Sequence, residues 1–133
     1  MKPIRIVAIV VAIAAMFAVQ LRRERAPTPA AQDLVVHDVT IRDVDGREAW
    51  RGDVDLAPTL ERATSGARDA HRNDGGVFAN RERLLPAQRR GYYHEYVVRT
   101  PGIDHAGPQR LVLGEGGEVF YSHDHYASFR RIR

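Results

Sequence analysis

A chain of 133 residues, 44% of them apolar and 28% charged, has room for one domain of ordinary size built on one core. It contains no cysteine, which excludes a disulfide scaffold and any thiolate zinc site. The formal charge of +3 and the isoelectric point near 9.7 conceal an uneven distribution. Residues 1–32 carry five basic side chains against one acid, residues 33–69 five arginines against nine acids, and residues 70–133 ten arginines against seven acids. The basicity belongs mostly to the N-terminal segment and by itself identifies no partner. What remains is an acidic first half followed by an arginine-rich second half.

Met1–Arg5 is short and basic, and Ile6–Val19 is an unbroken apolar run of 14 residues. A bilayer-spanning helix needs ~20 apolar residues and a signal-peptide core ~7–15. Residues 1–21 are therefore expected to be a signal peptide or, because Arg22, Arg23 and Arg25 follow closely, an uncleaved N-terminal anchor. Either way the rest of the chain is secreted or extracytoplasmic, with a membrane involved only if the segment is retained. Residues 22–32, ending Ala26-Pro-Thr-Pro-Ala-Ala-Gln32, read as a Pro/Ala linker, and residues 33–133 as the folded domain, without internal repeats.

Within that domain Leu34–Ile41 reads as a strand, Asp45-Gly46 as a turn and Glu48–Arg51 as a second extended piece. Pro58 sits where a helix begins, and that helix runs through Leu60 and Ala63 to Gly66. Asn73-Asp74-Gly75-Gly76 is a turn. Strand-like segments follow at Tyr92–Arg99, Arg110–Leu113, Glu118–Ser122 and Tyr126–Ile132, with a hairpin turn at Gly114–Gly117. Helix first and an antiparallel meander after it predict an α+β fold, the N-terminal helical part packed on a C-terminal antiparallel sheet.

Three candidate metal motifs fail, two on spacing and one on ligand number. Asp43-Val44-Asp45-Gly46 has Ile41 and Gly52 where an EF-hand needs an acid and a glutamate. His94-Glu95 has Val98 where a zincin needs its second histidine. His123 and His125 share a strand face but make only two ligands, so no metal and no cofactor are assigned. Alternation over Tyr92–Arg99 places Tyr93, Glu95, Val97 and Arg99 on one face. A carboxylate in mid-sheet is costly unless it is paired or functional. Glu95 is accordingly either half of an ion pair with Arg99 or Arg110, or an acid–base group, and periodicity alone favours the ion pair.

Three blocks bear on that choice: Val77-Phe78-Ala79-Asn80-Arg81-Glu82-Arg83-Leu84-Leu85-Pro86, Gly91-Tyr92-Tyr93-His94-Glu95-Tyr96, and Asp124-His125-Tyr126-Ala127-Ser128-Phe129. In order and spacing, down to the ending Phe-x-x-Ile-Arg, they resemble the bacterial guanyl-specific ribonucleases, the barnase-like family. The likeness covers about Leu56–Arg133 and leaves residues 33–55 outside it. It implies the microbial ribonuclease fold and a metal-free transphosphorylation of single-stranded RNA. By the resemblance, Glu95 matches the general base that takes the ribose 2′-OH proton. His125 matches the general acid that protonates the departing 5′-oxygen, and Arg110 matches an arginine that clamps the phosphate. Tyr126 then contacts the phosphate. The loop Phe78-Ala79-Asn80-Arg81-Glu82 matches the guanine-recognition loop. There Glu82 accepts from guanine N1–H and the exocyclic amine, amides around Asn80 and Arg81 donate to O6, and Phe78 stacks on the base.

One departure stands out. The family carries a second phosphate arginine four positions before the one matched by Arg110, and this chain has Ala106 there. A basic residue of the first half that assists in the family finds candidates only in His71 and Arg72. The resulting expectation is an exported, guanine-preferring endoribonuclease acting as a monomer on RNA, with a barstar-like inhibitor protein implied by analogy. The alternatives are a catalytically weak or inactive RNA- or nucleotide-binding member of the same fold, and an interaction module sharing only its architecture. Retention of Glu95 and His125 favours the enzyme.

Overall fold

The computed structural model describes residues 34–133. The expected leader and linker lie outside the described residues. Strands β1 (Val35–Arg42) and β2 (Glu48–Asp55) form an antiparallel hairpin that pairs Val36 with Val54 and Ile41 with Trp50. Val36, Val39 and Ile41 are all buried although the first two are three residues apart, an odd spacing that a regular strand cannot put on one face. A bulge at His37-Asp38 absorbs the extra residue. It is held by Asp53, whose carboxylate accepts the Asp38 amide at 3.0 Å and lies 2.8 Å from His37 Nδ1. The hairpin tip is closed by Asp43 N–H to Arg47 O at 2.9 Å and Gly46 N–H to Asp43 O at 2.8 Å, with Gly46 left-handed at φ 79°. It is a turn.

Helix α1 (Ala57–Ser65) follows, with the Asp55 carboxylate accepting the Ala57 amide at 2.9 Å and Gly66 closing it at φ 78°. Strands β3 (Gly76–Val77), β4 (Tyr93–Val97), β5 (Arg110–Gly114), β6 (Val119–Ser122) and β7 (Arg130–Arg131) then make a sequential antiparallel sheet. The register sets Glu95 opposite Val112, Val97 opposite Arg110 and Arg110 opposite Ser122. Cross-strand partners share a face, so Tyr93, Glu95, Arg110, Val112 and Phe120 point one way, and Leu111, Val119 and Tyr121 the other. The latter face packs on the hairpin through Val36, Val39, Ile41 and Val54, with Leu56 and Val98, to form the larger apolar cluster. On the former, Leu85, Tyr93, Val112 and Phe120 form a smaller cluster with Phe78 and Phe129 against it. That second cluster leaves room for polar groups.

The α+β class and the antiparallel meander stand as expected, but the first part of the domain is not mainly helical. One nine-residue helix follows an eight-residue-per-strand hairpin, and the hairpin supplies most of the cover of the sheet's back face. The second strand, expected over Glu48–Arg51, runs to Asp55. The Asn73–Gly76 turn feeds directly into β3, which borrows its pairing from Glu95 and His94. The last strand, expected over Tyr126–Ile132, shrinks to Arg130–Arg131 because His125 and Tyr126 are both left-handed, at φ 55° and 71°.

One buried carboxylate ties these pieces together. Asp74, 2% exposed, accepts the Val97 amide at 2.7 Å, the Asp69 amide at 2.8 Å and Arg62 Nη2 at 3.1 Å. Arg62, from α1, also donates to Val97 O at 2.7 Å. Helix, connecting loop and β4 are thereby locked beside Glu95. Removing one partner of a buried pair strands the other, at a cost of about 3–5 kcal/mol. Asp74→Ala is expected to lower the urea midpoint by that amount of stability; an unchanged midpoint would show that the network carries no load.

Candidate active site

The open face of the sheet carries a cavity of about 480 Å³. Every site residue picked from the sequence lines it: Glu95, Arg110, His125, Tyr126 and the loop Phe78-Ala79-Asn80-Arg81-Glu82. His71 lines it as well, and so does Asn73, which the sequence offered only as part of a turn. Arg72 is not among the lining residues.

Glu95 projects from the middle of β4 and makes no ion pair among the described residues. Arg99, one of its two anticipated partners, is instead bidentate to Asp69, at 2.8 Å and 2.5 Å, and holds that carboxyl below the usual aspartate range. The partner of Glu95 is the Tyr126 hydroxyl, which donates to its carboxylate. Arg110 is 4% exposed and, among the described residues, has no carboxylate within ion-pair distance. Its Nη1 donates to Gly107 O and Gln109 O, both at 2.7 Å, and its Nε to the Tyr126 hydroxyl at 3.1 Å. Carbonyls orient a guanidinium without neutralising it, so the site keeps a positive charge where an anion would sit. Gln109 is itself fixed, donating to Thr100 Oγ1 at 2.8 Å and accepting from the Tyr121 hydroxyl.

Tyr126 is the joint of this arrangement. Its ring stacks on Phe78 at 5.4 Å and 22°, the Arg110 guanidinium lies 5.7 Å from its centroid, and its hydroxyl bridges Arg110 and Glu95. Burial, and after it the Glu95 hydrogen bond, pushes the phenol up to about 12, so it stays a donor at neutral pH. His125, just before it, is exposed at the rim and its amide donates to Pro108 O at 3.0 Å. Two successive left-handed bulky residues are strained, and Asp124 and Ser122 hold the turn. Asp124 accepts the Ser128 amide at 2.9 Å and Ser122 Oγ–H at 2.9 Å, while Ser122 Oγ accepts the Tyr126 amide at 2.9 Å. His123 and His125 diverge, lining different cavities.

The loop is pinned from within. Asn80, left-handed at φ 49°, donates from Nδ2 to Leu85 O at 2.8 Å and accepts the Leu85 amide at 3.0 Å. Phe78 N–H is bound to Tyr93 O at 2.9 Å, but among the described residues no protein acceptor takes the amides of Ala79, Asn80, Arg81 and Glu82. The Glu82 carboxylate has no ion-pair partner among them either, and is exposed. A row of amide donors beside one carboxylate acceptor complements a flat ligand edge that accepts at one point and donates at the next.

Residues 43–133 match the ribonuclease family. The chain belongs to that family. Guanyl-specific ribonuclease St of Saccharopolyspora erythraea is 50% identical over 80 residues, a stretch covering 57% of this chain and 79% of that protein. Guanyl-specific ribonuclease Sa of Kitasatospora aureofaciens is 47% identical over 75 residues, 56% of this chain and 78% of its own. Among solved structures, ribonuclease Sa2 with guanosine-2′-cyclophosphate superposes with a TM-score of 0.54 at 42% identity over 59% of this chain and 84% of that one. The likeness establishes the microbial ribonuclease fold.

For a ribonuclease the Ala106 departure has a structural counterpart. The neighbouring His105 does not turn into the cavity: its Nε2 lies 3.2 Å from Asp43 Oδ2 at the hairpin tip, and its Nδ1 accepts the Gly107 amide at 3.1 Å. It braces the loop that carries the Gly107 carbonyl and adds no cation to the site.

Asn80→Ala removes both ends of the loop staple and leaves a left-handed alanine. The variant is expected to lose about 1–3 kcal/mol of stability and to raise KM more than it lowers kcat. A purely kcat effect would mean that the staple does not shape the binding loop.

Proposed function

We propose that the domain is a guanine-preferring endoribonuclease that cleaves single-stranded RNA through a 2′,3′-cyclic phosphate, with Glu95 as general base, His125 as general acid and Arg110 as phosphate clamp. The observation that carries the reading is one cavity lined by a carboxylate and a buried guanidinium, neither in an ion pair among the described residues, together with an exposed imidazole. A carboxylate and an imidazolium are a competent base and acid near neutrality. The 2′-oxygen, as Glu95 takes its proton, attacks the adjacent phosphorus. The P–O5′ bond breaks, and His125 gives its proton to the leaving oxygen. Negative charge building on the equatorial oxygens faces Arg110, with the Tyr126 hydroxyl beside it. In the second step His125 takes a proton from water, whose oxygen bonds to phosphorus as the P–O2′ bond breaks, and Glu95 returns a proton to the 2′-oxygen.

Base choice follows from the loop. Glu82 accepts from guanine N1–H and N2–H, and loop amides donate to O6; adenine offers neither that donor pair nor that acceptor. Phe78, packed by Tyr126 and Phe129, is a stiff apolar surface for the base. The reading places the enzyme outside the cytoplasm, on the strength of the apolar run at residues 6–19. Ala106 supports a second reading, a nucleotide binder with little turnover. Both are tested by incubating guanylyl-3′,5′-uridine in EDTA, where the enzyme releases cyclic guanosine phosphate and the binder does not.

Glu95→Gln and His125→Ala are each expected to lower kcat/KM by about 100- to 10,000-fold with circular dichroism unchanged. Near-parent turnover in either would falsify its assignment. Glu82→Ala should cost discrimination between guanine and adenine on the 5′ side by tenfold or more, since a charged hydrogen bond contributes about 1.5–3 kcal/mol. The measurement is the ratio of kcat/KM for guanylyl and adenylyl dinucleotides.

A further inference from the structure

A second cavity of about 520 Å³ lies against the first. The two share Val77, Phe78, Ala79 and Arg81, so the recognition loop is the wall between them. Beyond that wall the second cavity is lined by Gln88, Arg89, Arg90 and Tyr93, and by none of Glu95, Arg110, His125 or Tyr126. It contains three arginines and no acidic lining residue. Arg89 is paired with Glu115, but among the described residues no carboxylate lies within ion-pair distance of Arg81 or Arg90. Val77, at its edge, leaves 46% of its surface exposed.

Unneutralised arginines beside the exposed Val77 and the half-buried Phe78 are what a nucleotide unit requires, cations for the phosphate and an apolar patch for the base. Position gives the polarity. In the first cavity the base end is the loop and the scissile 3′-phosphate end is Arg110. A site that shares the loop and lacks the catalytic groups lies on the base side, away from the scissile bond. We infer that this cavity is a subsite for the nucleotide on the 5′ side of the recognised guanosine, with Arg90 and Arg81 facing the intervening phosphate. The inference rests on the ribonuclease reading above and extends it from one nucleotide to a run of chain.

The test compares guanylyl-3′,5′-uridine with the same dinucleotide extended on its 5′ side by one uridylyl unit, and with a version extended on its 3′ side. The 5′ extension is expected to raise kcat/KM by about three- to tenfold in the parent enzyme. In Arg90→Ala that gain should shrink to less than twofold, and the slope of log kcat/KM against log salt for the 5′-extended substrate should flatten by about 0.7, the value for one lost phosphate contact on a single strand. Arg90→Lys, which keeps the charge, should retain most of the gain. A 5′ gain that is absent in the parent, or that survives in Arg90→Ala, overturns the subsite while leaving dinucleotide cleavage intact. A gain confined to the 3′ extension and lost in Arg90→Ala overturns the polarity assigned here. Failure of the parent to cleave the dinucleotide overturns the ribonuclease reading and the subsite with it.

Discussion

The register of the β4–β5–β6 ladder is the constraint on which the rest depends. With Glu95 opposite Val112 and Val97 opposite Arg110, the side chains of Glu95 and Arg110 share the open face as diagonal neighbours. A slip of one residue between β4 and β5 would send one of them into the apolar cluster on the far side, among Leu111, Val119 and Tyr121. The hairpin guards against that slip. By burying Leu111 at 0% and Val119 at 1%, it makes the correct parity the only one that does not put a charge in the core. The segment that lies outside the three blocks thus fixes which face becomes the site.

The two faces are asymmetric for a physical reason. The back face is closed by a sheet-on-sheet contact, whereas the front is covered only in part, by Leu85 and three aromatic residues of the loops. The uncovered half is where the backbone leaves regular geometry. Asn80, Arg83, His125 and Tyr126 all have positive φ without being glycine. Such conformations cost about 1–3 kcal/mol each and persist when their surroundings hold them. Here the holding groups are short polar side chains, Asn80 on Leu85 and Asp124 on Ser128, that bond locally and leave the neighbouring amides and ring nitrogens to face the cavity.

Much of this was legible in the chain. The β-branched and aromatic density of Tyr93–Val97, the glycines after Leu113 and the Pro58-to-Gly66 interval each carry a local signal, and β4, β5, β6 and α1 lie where it points. Eight of the nine residues singled out in the sequence lie in the three blocks, Arg110 falls between the second and the third, and all nine line one cavity. What was hidden depends on tertiary context. β3 is two residues long and exists only because Glu95 and His94 are there to pair with it. The second strand runs past Arg51 to Asp55 because Val39 and Val36, on either side of the bulge in the first, pair with Gly52 and Val54. The loss of Tyr126–Phe129 from the last strand follows from αL residues whose side chains give no propensity warning. Asp74 looked like one acid in a turn, and nothing in Asn-Asp-Gly-Gly marks it as the buried acceptor of three donors.

The site also had to avoid neutralising itself. A long carboxylate and a long guanidinium placed as diagonal neighbours on one sheet face would, left alone, close into an ion pair, and that pair would remove both the free carboxylate and the free cation. Two features keep them apart. Arg110 is drawn back by the carbonyls of Gly107 and Gln109, in a loop braced to the hairpin through His105 and Asp43. The Tyr126 hydroxyl stands between, accepting from Arg110 Nε and donating to Glu95. A phenol can do both at once and, held near 12 by burial and by the carboxylate, does not ionise into a third charge at working pH. The left-handed turn at His125-Tyr126 is what brings that hydroxyl into place, with the imidazole of His125 carried to the rim by the same two residues. The strain of the turn is therefore tied to the arrangement of the cavity: it carries the imidazole to the rim and keeps the Glu95 carboxylate and the Arg110 guanidinium from pairing with each other.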